Sequence, residues 1–403
     1  MRKLEKNSNL IRLLVMGAFL IVLDSLYILS AHSNTPTLKD NFQKELSLFH
    51  SQYNFPGATA AYVLPDGTAE IFAIGESDLE NKIEMTPNSR MLAASIGKTF
   101  VGATLLAMAQ DSLINLDDPV SKWLGEKTWY KYIPNHKSIT IRHLLNHTSG
   151  IPNHVENEQF VKDFSKRWQE TDKPFSLDEL ISYILNKKPL FASGTAWSYT
   201  DSGYILLGLL IENITGNSWY DEVKSRFLKP LNLALTSPSN QIQLLDLAAG
   251  YMAGDNSFGL PPKTTSSSGK MVWNPQVEQS GGGFISNSGD LAKWGKALYE
   301  GKAMKGDYLS KLLKPVRISE DNNQVSYGIA TAIYSKGPFG PTYGHGGWIP
   351  GYSSSLRYYP DHGIAVAFQI NTDIGIVDGS TQLVQDMEKR LIEKVISFKK
   401  SNT

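Results

Sequence analysis

Residues 100–109 (FVGATLLAMA) carry no charge and are apolar on every side. A helix over this run has no face to offer water, so it has to lie in the middle of a larger core. A chain of 403 residues, 41% of them hydrophobic and 19% charged, is long enough to supply that core. It contains no cysteine, which removes disulfides, thiol catalysis, thiolate-bound zinc and a lipidated cysteine together and leaves packing to hold the fold. Lys plus Arg and Asp plus Glu both number 39. That balance gives no reason to expect nucleic acid as a partner and suits a neutral substrate or a small acid.

The N-terminus reads separately. Arg2, Lys3, Lys6 and Arg12 lead into the unbroken apolar run 13–23, the pattern of an export signal. Ala31-His32-Ser33 puts small residues where a signal peptidase inspects them, so residues 1–33 are expected to be a signal peptide cleaved after Ser33. The alternative is an uncleaved anchor, but Asp24 interrupts the run, and 13–29 is short for a span that needs about 20 apolar residues. Either way the rest is expected outside the cytoplasm, periplasmic or extracellular, touching membrane only through this segment.

Further along, 42–49 has helical amphipathicity, and the stretches 58–63 and 69–74 flank the turn Pro65-Asp66-Gly67, which predicts a β-hairpin. Helical patterns follow at 177–185, 204–214 and 219–227. β-branched and aromatic runs return at 327–334, 353–359 and 364–370, before a last helix over about 382–398. Strands at both ends with helices between them predict an α/β fold of the α+β type, one antiparallel sheet built from the two termini and flanked by helices. A mostly helical lobe over about 96–274 is inserted into an α/β lobe of about 34–95 plus 275–403, and the site is expected between them. Residues 263–270 (KTTSSSGK) read as a surface loop.

Ser-x-x-Lys occurs three times, at Ser95 with Lys98, Ser267 with Lys270, and Ser397 with Lys400. The second lies in the polar loop and the third in what reads as a frayed tail; only the first opens a buried helix. Residues three apart share a helix face, so the Lys98 amine can reach the Ser95 oxygen. The partial positive charge at the helix N-terminus stabilises negative charge growing at the serine or at an attacked carbonyl oxygen. The same field, together with burial, is expected to depress the pKa of Lys98 and so provide a neutral amine as base. The bland alternative is an N-cap serine and a solvated first-turn lysine. A rival reading takes residues 93–97 as a nucleophile elbow, but 86–92 (TPNSRML) makes a poor preceding strand.

With these residues in view the sequence resembles the serine β-lactamase and penicillin-binding protein family, in the branch of class C β-lactamases, DD-carboxypeptidases, D-aminopeptidases and related esterases. The likeness covers roughly 40–375 and rests on Ser95-Ile96-Gly97-Lys98, on Leu116-Asp117-Asp118-Pro119-Val120 and on the segment 141–152 (IRHLLNHTSGIP). It implies a β-lactamase/transpeptidase-like fold with Ser95 as nucleophile, Lys98 as general base or proton relay and Tyr199, in Tyr199-Thr200-Asp201, as general base or acid. It further implies His345-Gly346-Gly347 as a substrate-binding strand and the backbone N–H groups of Ser95 and Trp348 as oxyanion hole. No metal or organic cofactor is implied.

Two positions depart from the family. Asp201 replaces an asparagine; it is either the N-cap of the helix that follows or a carboxylate facing the site, and in the second case it favours the Lys98 ammonium and moves proton abstraction towards Tyr199. Gly346 stands where many relatives have a threonine that helps hold a substrate carboxylate. His143 and His147 have the four-residue spacing of two zinc ligands but lack the glutamate of a metalloprotease. Gly281-Gly282-Gly283 reads as a tight turn near the cleft. The expected activity is an acyl-enzyme hydrolase on D-amino-acid peptides such as peptidoglycan stem peptides, or on β-lactams, with an esterase or a non-turnover penicillin-binding sensor as alternatives.

Overall fold

The computed structural model describes residues 36–170, 172–321 and 324–401. The expected signal at 1–33 lies outside the described residues. The chain divides into a stretch ending at Asn41 and a unit from Phe42 onward. Among the described residues no helix is long and apolar enough to cross a membrane.

Helix α1 (Leu38–Tyr53) leads into a hairpin of β1 (Gly57–Val63) and β2 (Ala69–Asp78), followed by the short strands β3 (Ile83–Glu84) and β4 (Met91–Leu92). The turn at 65–67 forms as predicted, with the Thr68 N–H donating to Asp66 Oδ1 at 2.9 Å and Gly67 at φ +90°. The uncharged run becomes helix α2 (Gly97–Gln110), whose residues from Gly97 to Met108 are all buried. There Phe100 stacks on Trp294 with ring centroids 4.2 Å apart, and Thr99 Oγ1 accepts from Trp294 Nε1 at 2.8 Å. Around it lie α3 (Ile141–Leu145), α4 (Glu158–Glu170), α5 (Leu177–Ser182), α6 (Asp201–Thr215) and α7 (Trp219–Val223).

The chain then returns through β5 (Ser237–Pro238), β6 (Phe284–Ser286), α8 (Ser288–Tyr299), β7 (Val316–Arg317), β8 (Val325–Tyr327), β9 (Ala332–Tyr334), β10 (Thr342–Ile349), β11 (Tyr352–Tyr359), β12 (Ile364–Ile370) and α9 (Leu383–Ser401). The main sheet has the order β3-β2-β1-β12-β11-β10-β9-β8-β7, all antiparallel, and β4-β6-β5 form a second small one. The first and last strands of the fold pair directly, Ala58 opposite Ile370 and Val63 opposite Ala365. Strands β1, β11 and β12 are buried along their whole length because helices cover both sheet faces. Thr59 and Ser288 hydroxyls meet at 2.7 Å on the α8 side, whereas Phe42 of α1 lies 5.1 Å from the Tyr62 ring on the other.

Two expectations are corrected. The run 327–334 is not one strand: β8 and β9 pair across a tight turn in which Ala330 has φ +49°, and a continuous run of strand formers in the sequence conceals such a reversal. Ser397 is not in a frayed tail but on α9, whose apolar face buries Met387, Leu391 and Val395 completely.

Candidate active site

Ser95 lies in a single turn of 3-10 helix, Ala94–Ile96, between β4 and α2. Ala94 takes φ +50°, a conformation unfavourable for an L-residue, and this kink turns the chain out of the small sheet and into the helix. In a nucleophile elbow the serine itself carries the strained angle; here its neighbour does. Strand β10 runs alongside, and a Cβ on Gly347 would come within 2.5 Å of the Ala93 carbonyl oxygen. Gly347 is therefore glycine because strand and nucleophile turn touch backbone to backbone. Gly346 has no such need: the nearest atom to a Cβ there is the Ser354 oxygen at 3.8 Å.

One turn into α2, the side chain of Lys98 is wholly buried. Its Nζ donates to Ser95 Oγ at 3.0 Å, to Asp201 Oδ1 at 2.5 Å and to the Gly281 carbonyl at 2.5 Å. Three acceptors use all three hydrogens of an ammonium, a demand that a neutral amine cannot meet. The Gly281–Gly283 turn is held close enough to do this because Gly97 has no Cβ; one would sit 1.7 Å from the Gly282 oxygen.

The expected depressed pKa of Lys98 is thus overturned. Burial does pull it down, but the Asp201 carboxylate and the nearby Tyr199 outweigh burial and hold it above the ordinary value for lysine. Burial pushes Asp201 up, yet contact with Lys98 leaves its carboxyl below the usual range. Asp201 is not the N-cap of α6. That position is Thr200, while the Asp201 N–H donates to Asn153 Oδ1 at 3.0 Å and its carboxylate faces the site.

Tyr199 is half-buried, its ring centroid 5.0 Å from Lys98 Nζ. Burial raises its pKa against the opposing pull of Lys98, so the phenol keeps its proton at neutral pH beside Lys98 and Ser95. The loop before α6 is shaped by His147, whose Nδ1 accepts from the Thr200 N–H at 3.3 Å and whose ring packs 4.3 Å from that of Tyr199. His143 instead forms the capping box of α3 with Thr140. The pair spaced like zinc ligands is thus split between two local tasks.

His345 faces the cavity, but burial drives its pKa down to about 3 and the protein occupies both ring nitrogens. Nε2 pairs with the Tyr327 hydroxyl at 2.8 Å and Nδ1 with the Gly346 carbonyl at 2.5 Å. Both ring nitrogens of His345 are thus engaged within the protein, which ties β10 to β8. Trp348 stands half-exposed at the cavity wall with its Nε1 donating to Asp373 Oδ2 at 3.0 Å.

These groups open on one cavity of about 770 Å³, lined among others by Ser95, Tyr199, Asp201, His345, Gly346 and Trp348. Sequence reasoning missed Glu278 on its wall. One oxygen of that side chain, Oε2, is buried without a hydrogen-bond partner, and burial, opposed by Lys98, pushes the carboxyl up to about 8. The available signal was a lone glutamate three residues before the glycine turn.

Residues 38–388 match the Beta-lactamase family. A penicillin-binding protein of Bacillus subtilis strain 168 is 26% identical over 303 residues, 72% of this chain and 62% of that protein. Protein flp of Staphylococcus aureus strain N315 is 32% identical over 184 residues, 46% of this chain and 35% of that protein. The matched span is therefore less than two thirds of the length of either relative. Among solved structures, a D-stereospecific amidohydrolase from Streptomyces sp. is 26% identical with a TM-score of 0.73, covering 87% of this chain and 98% of that one. The D-amino acid amidase of Ochrobactrum anthropi SV3, at 22% identity and a TM-score of 0.73 over 91% of this chain and 100% of that one, shares the fold.

Proposed function

This chain belongs to the beta-lactamase family of serine hydrolases, and from that membership we propose that it is an exported hydrolase that cleaves D-aminoacyl amides or peptides through an acyl-enzyme at Ser95. The observation that carries the reading is the buried Lys98 ammonium bridging Ser95 Oγ and Asp201 Oδ1. As Ser95 attacks the carbonyl, Lys98 accepts the serine proton while passing one of its own to Asp201, so the ion pair acts together as the base. The Ser95 and Trp348 N–H groups receive the carbonyl oxygen as it becomes negative. Tyr199, a phenol at neutral pH, protonates the departing nitrogen as the C–N bond breaks. The proton held by Asp201 then returns through Lys98 to the phenolate, and water repeats the sequence in reverse to release the acid.

Cavity charge favours an amine-bearing substrate over one that ends in a carboxylate. Arg357 faces the cavity but is paired with Glu388 at 2.9 Å, and Lys98 is paired with Asp201. Glu156 and Glu278 line the same wall. Among the described lining residues the cations are already paired, and Glu156 and Glu278 add carboxyl oxygens, the second held largely in its neutral form at pH 7 by burial; the wall offers acceptors to an ammonium group and no free cation to a carboxylate. Gly346, without a hydroxyl, points the same way. The alternatives of the family, a carboxypeptidase or β-lactamase, need a carboxylate site that this wall does not offer.

The test is release of nitroaniline from D-alanyl-p-nitroanilide, with N-acetyl-D-Ala-D-Ala and a fluorescent penicillin as competitors. Wild type is expected to cleave the anilide and Ser95→Ala to lose the activity. Equal rates for the two proteins, or faster turnover of the acetylated dipeptide, reject the reading.

A further inference from the structure

Beyond Ser95 the cavity ends in a wall of aromatic rings. Phe160 and Phe164, from α4, lie parallel with centroids 5.9 Å apart, and Phe164 meets Phe258 and Trp273 edge to face at 5.3 and 5.9 Å. All four line the same space as Ser95. The wall is tethered: Ser165 Oγ donates to the Phe258 carbonyl at 2.7 Å, and Asn274 Nδ2 to the Asp172 carbonyl at 2.6 Å. Phe160, Phe164 and Trp273 are buried in the core and Phe258 is the half-buried ring of the four, so Phe258 is the aromatic face that a cavity of about 770 Å³ leaves open to a ligand.

We infer that the acyl group transferred to Ser95 carries an aromatic side chain seated against Phe258, with Phe160, Phe164 and Trp273 packed behind it. This rests on the hydrolase reading above and narrows its substrate class. The assignment to the acyl part and not the leaving group follows from adjacency along the chain. Val277 lines the cavity beside Glu278, four residues after Trp273, so the apolar wall and the carboxyl suited to an ammonium lie side by side. An α-carbon bears both an amino group and a side chain, and one residue can use both surfaces at once. The leaving group is then left to the remaining cavity residues, among them Trp348, Pro350, Ile376 and Val384.

The experiment compares kcat/KM for p-nitrophenyl 3-phenylpropanoate and p-nitrophenyl acetate, which share a leaving group and lack an amine. One well-placed methylene already discriminates by 10–200-fold, so wild type should prefer the aromatic ester by about 30-fold or more. Phe258→Ala, at a half-buried ring, should reduce that ratio roughly tenfold, mostly through KM. Phe164→Leu, which keeps an apolar buried side chain, should reduce it in the same direction. A wild-type ratio near one, or a ratio unmoved by both substitutions, overturns the inference and leaves the hydrolase reading standing. If neither ester is turned over and Ser95 is never acylated, the hydrolase reading fails first, and this inference fails with it.

Discussion

At Lys98 a single contact decides which protonation state the enzyme rests in. Had the amine met only Ser95 and the helix end, burial would have won and left a neutral base; the Asp201 carboxylate 2.5 Å away reverses the outcome. The stability of the pair follows the signs of the two shifts. The Asp201 share is present above the ordinary carboxyl range and lost as pH falls through its lowered pKa. The Lys98 share is present below the ordinary lysine pKa and lost only as pH rises through its raised one. Both persist from about pH 5 to 9, and His345 and His154, at about 3 and 4, stay neutral there. The acid limb of kcat/KM should therefore lie below about pH 5. In Asp201→Asn the carboxylate no longer opposes burial, Lys98 must itself become the base, and the limb should move up towards neutrality with a rate loss on the order of 100-fold at pH 7. A pH profile of both proteins checks this; a wild-type limb near pH 7, or identical profiles, rejects the ion pair as base. The sequence revealed Ser95, Lys98 and Tyr199 because spacing along a helix and a local motif carry them. It left the orientation of Asp201 open and hid Glu278, since whether a carboxyl faces solvent or a sealed wall depends on segments far away in the chain.

At the scale of elements, the site is made where the start of α2, the glycine turn at 281–283 and strand β10 press together without side chains between them. This sets unequal expectations for two glycines of the site, Gly97 in the buried contact and Gly346 on the cavity. Gly97→Ala places a Cβ 1.7 Å from a backbone oxygen, which neither partner can yield by rotating a side chain, so α2 must shift and Lys98 loses its Gly281 acceptor. The expected result is a loss of about 3 kcal/mol or more, of the order for overpacking in a close-packed region, with hydrolysis lowered at least about 100-fold by misplacement of the reacting groups. Gly346→Ala meets nothing closer than 3.8 Å and should fold with a melting temperature near that of wild type. Thermal denaturation of both variants settles the contrast; equal melting temperatures would mean that the turn does not press on α2. The elements themselves were legible to different degrees for the same physical reason. The uncharged run at α2 and the β-branched and aromatic runs at β11 and β12 are long enough to be read, whereas the reversal between β8 and β9 consists of two three-residue strands, too short for any period to register.

For the whole molecule, the sheet joins segments from opposite ends of the sequence, so the β1–β2 hairpin joins the rest of the sheet only when β12 is made and pairs with β1. Closing so long a loop costs entropy that grows slowly with length, and the contacts at the seam have to offset it. Besides the β1–β12 ladder, α1 and α9 are pinned there by Glu45, a nearly buried carboxylate that accepts from Arg390 Nε at 2.6 Å and pairs with Lys394 at 3.1 Å. Both cations still reach water, with side chains 29% and 42% exposed. Removing Glu45 thus strands no buried charge, unlike the loss of Asp201, which leaves Lys98 sealed in without its counterion. Glu45→Ala should cost about 1–2 kcal/mol, a fall of roughly 1–3 °C in Tm for a chain of this length. Asp201→Asn should cost about 3 kcal/mol. Because the seam lies on the sheet face away from α8 and α2, Glu45→Ala should acylate Ser95 at the wild-type rate below its melting range. Calorimetry paired with single-turnover acylation separates the two sites, and a Glu45→Ala protein that keeps its Tm but loses acylation would show that the seam is coupled to the catalytic groups and does more than hold the chain ends together.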